Sequence, residues 1–325
     1  MHPLMNPSGG VSGSAKITPA CGVPMAIVAV SAVLWWLCEY HAAGLPFLAP
    51  WDFSFVGFYG LVFPVWWYVR GTALTEQAKL PSAWRTASFI MGIGTIYIVL
   101  LTRFEYLAEH MFFLNRLQHV VMHHLGPLLI ALAWPWQMIL SGMPQGVRRI
   151  AEGQLALRIL GLMRRPWLAG SLFVGLIALW LVPSVHFRAM IDPKLYWAMN
   201  GSMVIDGIFF WSLVLDPREP SMAEVSWGAR GALAIGIMFP QILVGAIIAL
   251  SSRDLYSFYA WCGRIYPTVS PLDDQALGGL IVWIPPAMMS VISLLLVLNA
   301  LRRCEERTGP ELEEGFSSSS WTGRP

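Results

Sequence analysis

The sequence predicts an all-α protein, a polytopic bundle of about eight membrane-spanning helices, and three observations carry that expectation. Of the 325 residues 56% are hydrophobic and only 12% charged, and the mean hydropathy is +0.58. That balance lies outside the range of soluble globular chains. The apolar residues gather in stretches near the 20 residues that a helix needs to cross a bilayer. Between those stretches the lysines and arginines concentrate on alternate loops, as they do in multi-pass proteins.

Taken in order, Met1 to Gly22 is polar and rich in Gly, Ser and Pro, and reads as a disordered cytoplasmic tail. The first apolar stretch, Val23 to Cys38, reads as an uncleaved anchor and not a signal peptide. The region before it is long and carries only Lys16, and no small-x-small cleavage site follows it. Further charge-free stretches run over Phe53 to Val69, Thr86 to Leu101, Leu117 to Leu140, Trp167 to Val185, Gly231 to Ser251 and Leu277 to Leu301. One more, Leu195 to Leu215, is interrupted by Asp206. Trp35, Trp51, Trp66, Trp84, Trp134, Trp167 and Trp261 fall near the expected helix ends, where amphipathic rings settle at headgroup level. The membrane domain therefore spans 23–303, and the Glu- and Ser-rich residues 304–325 form a second disordered cytoplasmic tail.

Eight crossings with both termini inside leave six of the 21 basic residues outside, Arg103, Arg116, Arg188, Lys194, Arg253 and Arg264, and the other fifteen inside. The positive-inside rule thus orients the chain in a bacterial inner membrane, with membrane lipids as its first partners. A net charge of +2, scattered over short loops, excludes a nucleic-acid partner. Cys21, Cys38, Cys262 and Cys304 are too far apart for a disulfide framework or a zinc site. No phosphate-binding loop, dinucleotide fingerprint, zinc-protease, serine-hydrolase or haem-attachment motif occurs, so the expected role is not enzymatic.

Under this topology His41, His110, His119, His123, His124 and His186 all map to the outer half, and only His2 does not. The densest stretch runs from Glu105 through His110 to Arg116, Gln118, His119, His123, His124 and Pro127. His119 and His123 are four apart, which stacks two imidazoles on one helix face, a way of holding a transition metal. Met122 lies about 100 degrees round that helix. The plainer reading has these rings capping carbonyls and binding water at the interface. Asp206 sits within an apolar segment, as either a proton or metal partner or one end of an interhelical hydrogen bond to Asn200, Gln241 or Tyr196. In the loop Ser270 to Pro286, Asp273 caps the last helix, Gly278 and Gly279 allow close helix approach, and Pro285-Pro286 kinks the span. The sixteen methionines are spread over nearly every segment and read as core filler.

Several of these residues also resemble a known family, the CtaG-type assembly factors of the caa3 kind of cytochrome c oxidase. The resemblance covers roughly residues 53–303. It rests on Gln118-His119 leading to Pro127-Leu128-Leu129 and Pro135, on Gly207 to Trp211, on Pro240 with Gly245-Ala246 and Leu255-Tyr256, and above all on Asp274-Gln275-Ala276-Leu277-Gly278-Gly279-Leu280-Ile281-Val282-Trp283-Ile284-Pro285. It implies a seven-helix core, to which Val23 to Cys38 adds an amino-terminal span. It also implies an assembly factor for a haem-copper terminal oxidase, assisting copper-centre maturation at the outer face, with oxidase subunits and a periplasmic copper donor as partners. Copper would then be held by His119, His123, His110 and His124, supported by Asp206, Asn115, Asn200, Asp274, Gln275 and Trp283. The chain departs from the family pattern at Asn115, Tyr196 and Asn200, where histidines are expected, so that His123, His124, His110 or Asp206 would fill those places or the metal role would be absent. Two other readings stay open: a bis-histidine haem or quinone protein using His119 and His186, and a small-solute transporter built around Asp206 and Gln241.

Overall fold

The computed structural model describes residues 22–218, 223 and 225–319. The expected amino-terminal tail, with His2, Lys16 and Cys21, and Arg324 at the other end lie outside the described residues. Helices account for nearly everything described, and no strand occurs among these residues; Pro50 and Thr102 form an isolated antiparallel bridge. In chain order the helices are α1 (Gly22–His41), α2 (Phe55–Leu74), α3 (Ala83–Leu101), α4 (Phe104–His110), α5 (Phe112–Val120), α6 (Gly126–Ala133), α7 (Trp136–Gly142), α8 (Gln145–Ala151), α9 (Gln154–Met163), α10 (Pro166–Leu181), α11 (Pro183–Ile191), α12 (Pro193–Val214), α13 (Trp227–Gly236), α14 (Met238–Ala249), α15 (Phe258–Cys262) and α16 (Pro271–Ser319). A π-helical turn, Val121–Leu125, joins α5 to α6.

Each expected apolar stretch falls on helix. Four units, α1, α3, α13 with α14, and α16, are long and apolar enough to cross a membrane, and two bent pairs raise the number to six. The remaining two expected spans, α2 and α12, have the length, 20 and 22 residues, but their polar and aromatic side chains lower the hydropathy. Arg70 in α2, and Asn200 and Asp206 in α12, are the clearest examples. The chain is a multi-pass membrane protein. The expected span Leu117 to Leu140 is broken: α7 turns 77° from the helix before it. At the break Trp134 adopts a left-handed φ of 51° and Pro135 follows, which no helix continues through. At its far end α16 runs on to Ser319, past the Cys304 at which a tail was expected to begin.

Capping follows side-chain chemistry. Ser54 accepts from Gly57 N at the start of α2, Ser226 from Ala229 N at α13, and Asp192 from Lys194 N at α12, where Pro193 occupies the first turn. Two apolar clusters form the core. One gathers Phe58, Phe89, Ile96, Leu101, Met122 and Ile130 from α2, α3 and the π turn to α6. The other gathers Phe112, Phe173, Trp180, Met203, Phe210, Trp211 and Tyr259 from α5, α10, α12 and α15. The unit α5–π turn–α6 contributes to both, so it runs through the middle of the bundle.

Two arginines assigned to loops by sequence are instead among the largest fully buried side chains, Arg116 on α5 and Arg230 on α13. Arg116 lies 5.1 Å from the Phe112 ring centroid, and Arg230 donates to the carbonyls of Val225 and Asp216. Their stems pack with the core while their heads find internal partners.

Candidate functional site

The π turn falls on the histidine segment. Such turns add a residue to a helical circuit and re-aim the side chains around it, and they recur at functional sites. Here Met122 faces the α2–α3 cluster, while His123 and His124 face the other way, both against Phe173. His123 stacks on that ring at 3.9 Å between centroids, and His124 meets it edge-on at 5.0 Å. All three rings of His119, His123 and His124 are buried. At 1.5 Å per residue they sit roughly 10 to 18 Å along the helix from Phe112, well inside the bundle.

Each imidazole has one oxygen partner on a different helix. His119 Nε2 lies 3.2 Å from Asn200 Oδ1, His123 Nε2 3.0 Å from Asp206 Oδ2, and His124 Nε2 3.3 Å from Gln241 Oε1. Amide and carboxylate oxygens accept, so in each case the ring Nε2–H donates and the Nδ1 keeps its lone pair. Nδ1 of all three rings is buried without a hydrogen-bond partner. A histidine that gives one N–H to a carboxylate or carbonyl and leaves the other nitrogen bare is the arrangement seen around metal ligands. Asp206 therefore pairs with His123, and neither Asn200, Gln241 nor Tyr196 is its partner. Gln241 serves His124 instead.

His119, His123, His124, Arg116 and Met203 line one internal cavity of about 20 Å³, closed by Ile177, Leu181, Val282 and Pro286. That is room for one water-sized occupant. Among the described residues no three His, Cys, Asp or Glu side chains converge closely enough to hold a metal. The cavity therefore offers at most two imidazole donors to one ion, with the Met203 thioether as a third, softer group. Neutral nitrogen and thioether donors in a small, low-coordinate space suit a soft monovalent ion such as Cu(I). His186, proposed with His119 as a haem-ligand pair, lines a separate cavity and pairs with Tyr259 OH at 3.0 Å.

The other predicted residues lie outside the cavity lining. His110 stays on its own helix, its Nδ1 2.7 Å from Tyr106 O and its ring against that tyrosine. Asn115 is buried beside Arg116, which donates to its Oδ1, and its amide meets Met190 Sδ at 3.9 Å. Asp274 accepts from the backbone N–H groups of Phe112 and Phe113, at 3.1 and 2.8 Å, and pairs with Arg264. Gln275 accepts from Leu255 N at 2.7 Å and donates to Ile248 O and Arg253 O. The backbone of α16 at Trp283 lies against Gly245 of α14, where an added Cβ would approach Trp283 N to 3.1 Å. Asp274 thus holds α16 to the start of the histidine helix, Gln275 and Trp283 hold it to α14 and the loop after it, and none of the three lines the cavity. Ser270, not Asp273 alone, caps α16: its Oγ accepts from Asp273 N and donates to the Asp273 carboxylate.

Sequence reading placed Arg116 in the histidine stretch as an outer loop cation and did not single out Met203 or Phe173, because nothing local separates a buried arginine or a cavity methionine from its neighbours. It placed Glu105 and Glu109 in the densest polar stretch without showing their surroundings. Glu105 is buried, and burial first, then the charges of Glu109 and Asp52, raise its pKa well above the usual value. Glu109, four residues on, is pushed up to about 7, again by burial and then by Asp52.

A family model for cytochrome c oxidase caa3 assembly factors matches residues 66–303, about three-quarters of the chain. The match begins within α2 and ends inside α16, and it contains every residue of the cavity. No curated protein and no solved structure matches the chain.

Proposed function

The chain belongs to the cytochrome c oxidase caa3 assembly factor family, and from that membership we propose that it hands copper to a haem-copper terminal oxidase at the outer face of the bacterial inner membrane. One observation carries the copper part of the reading. His119, His123 and His124 each donate Nε2–H to an oxygen and leave a bare, buried Nδ1, and all three line one small cavity with Met203. Copper is here a cargo, held by two of these nitrogens and the thioether and given up to an oxidase subunit. Asp206 supplies the negative charge that offsets a bound cation beside Arg116, and it fixes the His123 tautomer. His110, on α4 above the cavity, is the entry-side histidine, facing a periplasmic copper donor.

The outer placement draws support from the sequence, in which the expected eight-crossing topology assigns six basic residues to the outer side and fifteen to the inner. Delivery of a metal asks of the protein only that coordinate bonds form and break. What the residues do is exclude water, hold neutral imidazoles in one tautomer and balance charge.

The test is anaerobic Cu(I) binding by the detergent-purified chain, alone and as His119→Ala and His123→Ala, with circular dichroism to check folding. The expected result is about one copper per wild-type chain, lost in both folded variants. A wild type that takes up no copper overturns the copper reading and leaves a scaffold role in oxidase assembly. A Soret band on the protein as isolated would transfer the reading to haem.

A further inference from the structure

At the end of the bundle opposite α4, the chain between α7 and α10 forms a short helical arm whose lower part touches little else. No residue of α8 or α9 is buried. Helix α9 lies 76° from α10, so a helix that follows the span axis is preceded by one nearly perpendicular to it. The elbow has a local cause: Arg165 precedes Pro166 and is extended, at φ −69° and ψ 123°, as a residue before proline prefers. The elbow is also pinned, because Arg164 pairs with Asp216 after α12 at 2.8 Å.

The side chains of α9 sort by helical angle. Leu155, Ala156, Ile159, Leu160, Leu162 and Met163 share one broad face and Gln154, Arg158 and Gly161 the other, with Leu157, 53% exposed, at the edge between Leu160 and Gly161. Leu155 is 73% exposed and Ile159 51%. A helix lying flat with a bare leucine face and an arginine opposite has the composition of one that rests in the headgroup layer, apolar side down. Charge points the same way. Between residues 145 and 165 the chain carries Arg148, Arg149, Arg158, Arg164 and Arg165 against Glu152 alone. Arg148 is paired with Glu152 and Arg164 with Asp216, and among the described residues no carboxylate pairs with Arg149, Arg158 or Arg165.

We infer that α9 is an interfacial helix, its leucine face sunk at the headgroup–acyl boundary, and that Arg149, Arg158 and Arg165 bind the phosphates of anionic lipids. Arginine suits this because its planar guanidinium grips phosphate oxygens in pairs. The arm then ties the cytoplasmic ends of α7, α10 and α12 to the bilayer surface, independently of whether the chain carries copper.

The test uses the full detergent-purified chain, titrated with phosphatidylglycerol or with phosphatidylcholine, and native mass spectrometry to count retained lipids. Phosphatidylglycerol should be retained preferentially, and the preference should fall about five-fold for each of R149Q, R158Q and R165Q. Arg253→Gln, at the opposite end, should change nothing. Equal retention of the two lipids, or a triple variant that keeps the preference, overturns the inference. A second reading places a polarity-sensitive dye at L155C or R158C in the chain reconstituted in vesicles, with the native cysteines replaced by serine. An apolar environment at 155 and a polar one at 158 is expected. Water at both positions, or shielding of 155 that depends on dimer formation, assigns the face to solvent or to a second copy and overturns it as well.

Discussion

Asp206 and His123 meet at 3.0 Å inside the bundle, and the value of that contact is the tautomer it selects. Asparagine at 206 keeps an oxygen acceptor but removes the charge that balances a bound cation. Asp206→Asn should therefore fold and bind Cu(I) about 10- to 100-fold more weakly, read by competition with a Cu(I) chelator. Unchanged affinity would remove Asp206 from the site. Above the cavity, outside the spans, Glu109 titrates at about 7 in the folded chain because burial disfavours its carboxylate. Its folded pKa lies above its unfolded one, so the folded state holds the proton longer and stability falls as pH rises between about 4.5 and 7. Glu109→Gln should flatten that part of the melting-temperature profile. A profile identical to that of the wild type would show that this acid contributes nothing there.

Helix contacts near the site depend on small residues and on one buried clamp. At Gly207 of α12 a Cβ would fall on the His123 carbonyl, so glycine is what lets α12 approach the π turn closely enough for Asp206 and Asn200 to reach their imidazoles. Gly245 and Gly279 play the same part between α14 and α16. The clamp is Asp274, fully buried, which holds the first N–H groups of α5 and pairs with an Arg264 side chain that is 11% exposed. Asp274→Ala strands that guanidinium and the two amides. It should cost about 3–5 kcal/mol, as removal of one partner from a buried pair does, and should show as early unfolding of the purified protein on heating. A melting temperature within a degree or two of wild type would mean that water reaches Arg264 and the clamp is dispensable.

For the molecule as a whole, the family match starts at residue 66 and leaves α1 out. That helix is largely exposed, with only Ser31 and Cys38 buried, and it touches the bundle through pairs such as Ser31 Oγ with Tyr59 OH at 2.7 Å. Helix α1 is long and apolar enough to cross a membrane and contributes no cavity residue. If α1 crosses, the eight crossings expected from the sequence and the basic-residue bias would put both termini on the cytoplasmic side. Reporter fusions at the amino and carboxy termini should therefore both give the cytoplasmic signal. An amino terminus outside with the carboxy terminus inside would mean that α1 does not cross.

The all-α class and the positions of the apolar segments were open to reading along the chain, because hydropathy over 20 contiguous residues is a local sum. So was the clustering of His119, His123 and His124 in one short segment, and so was the resemblance carried by the stretch from Asp274 to Pro285. Much of the histidine site was not. Spacing placed His119 and His123 on one face, but a π turn intervenes and adds His124 to the same cavity wall while sending Met122 to the other cluster. Arg116 reads as a loop cation until helix packing buries it. Asp206 was visible as an anomaly, yet its partner stands 83 residues away on another helix. Asp274 and Gln275 were visible as a motif, yet their work is to fasten helices and not to line a site. Local sequence governs which residues enter a helix and which helices enter a membrane. Which polar groups meet is set by how helices approach one another, and that depends on small residues, breaks and buried pairs whose partners lie far apart in the chain.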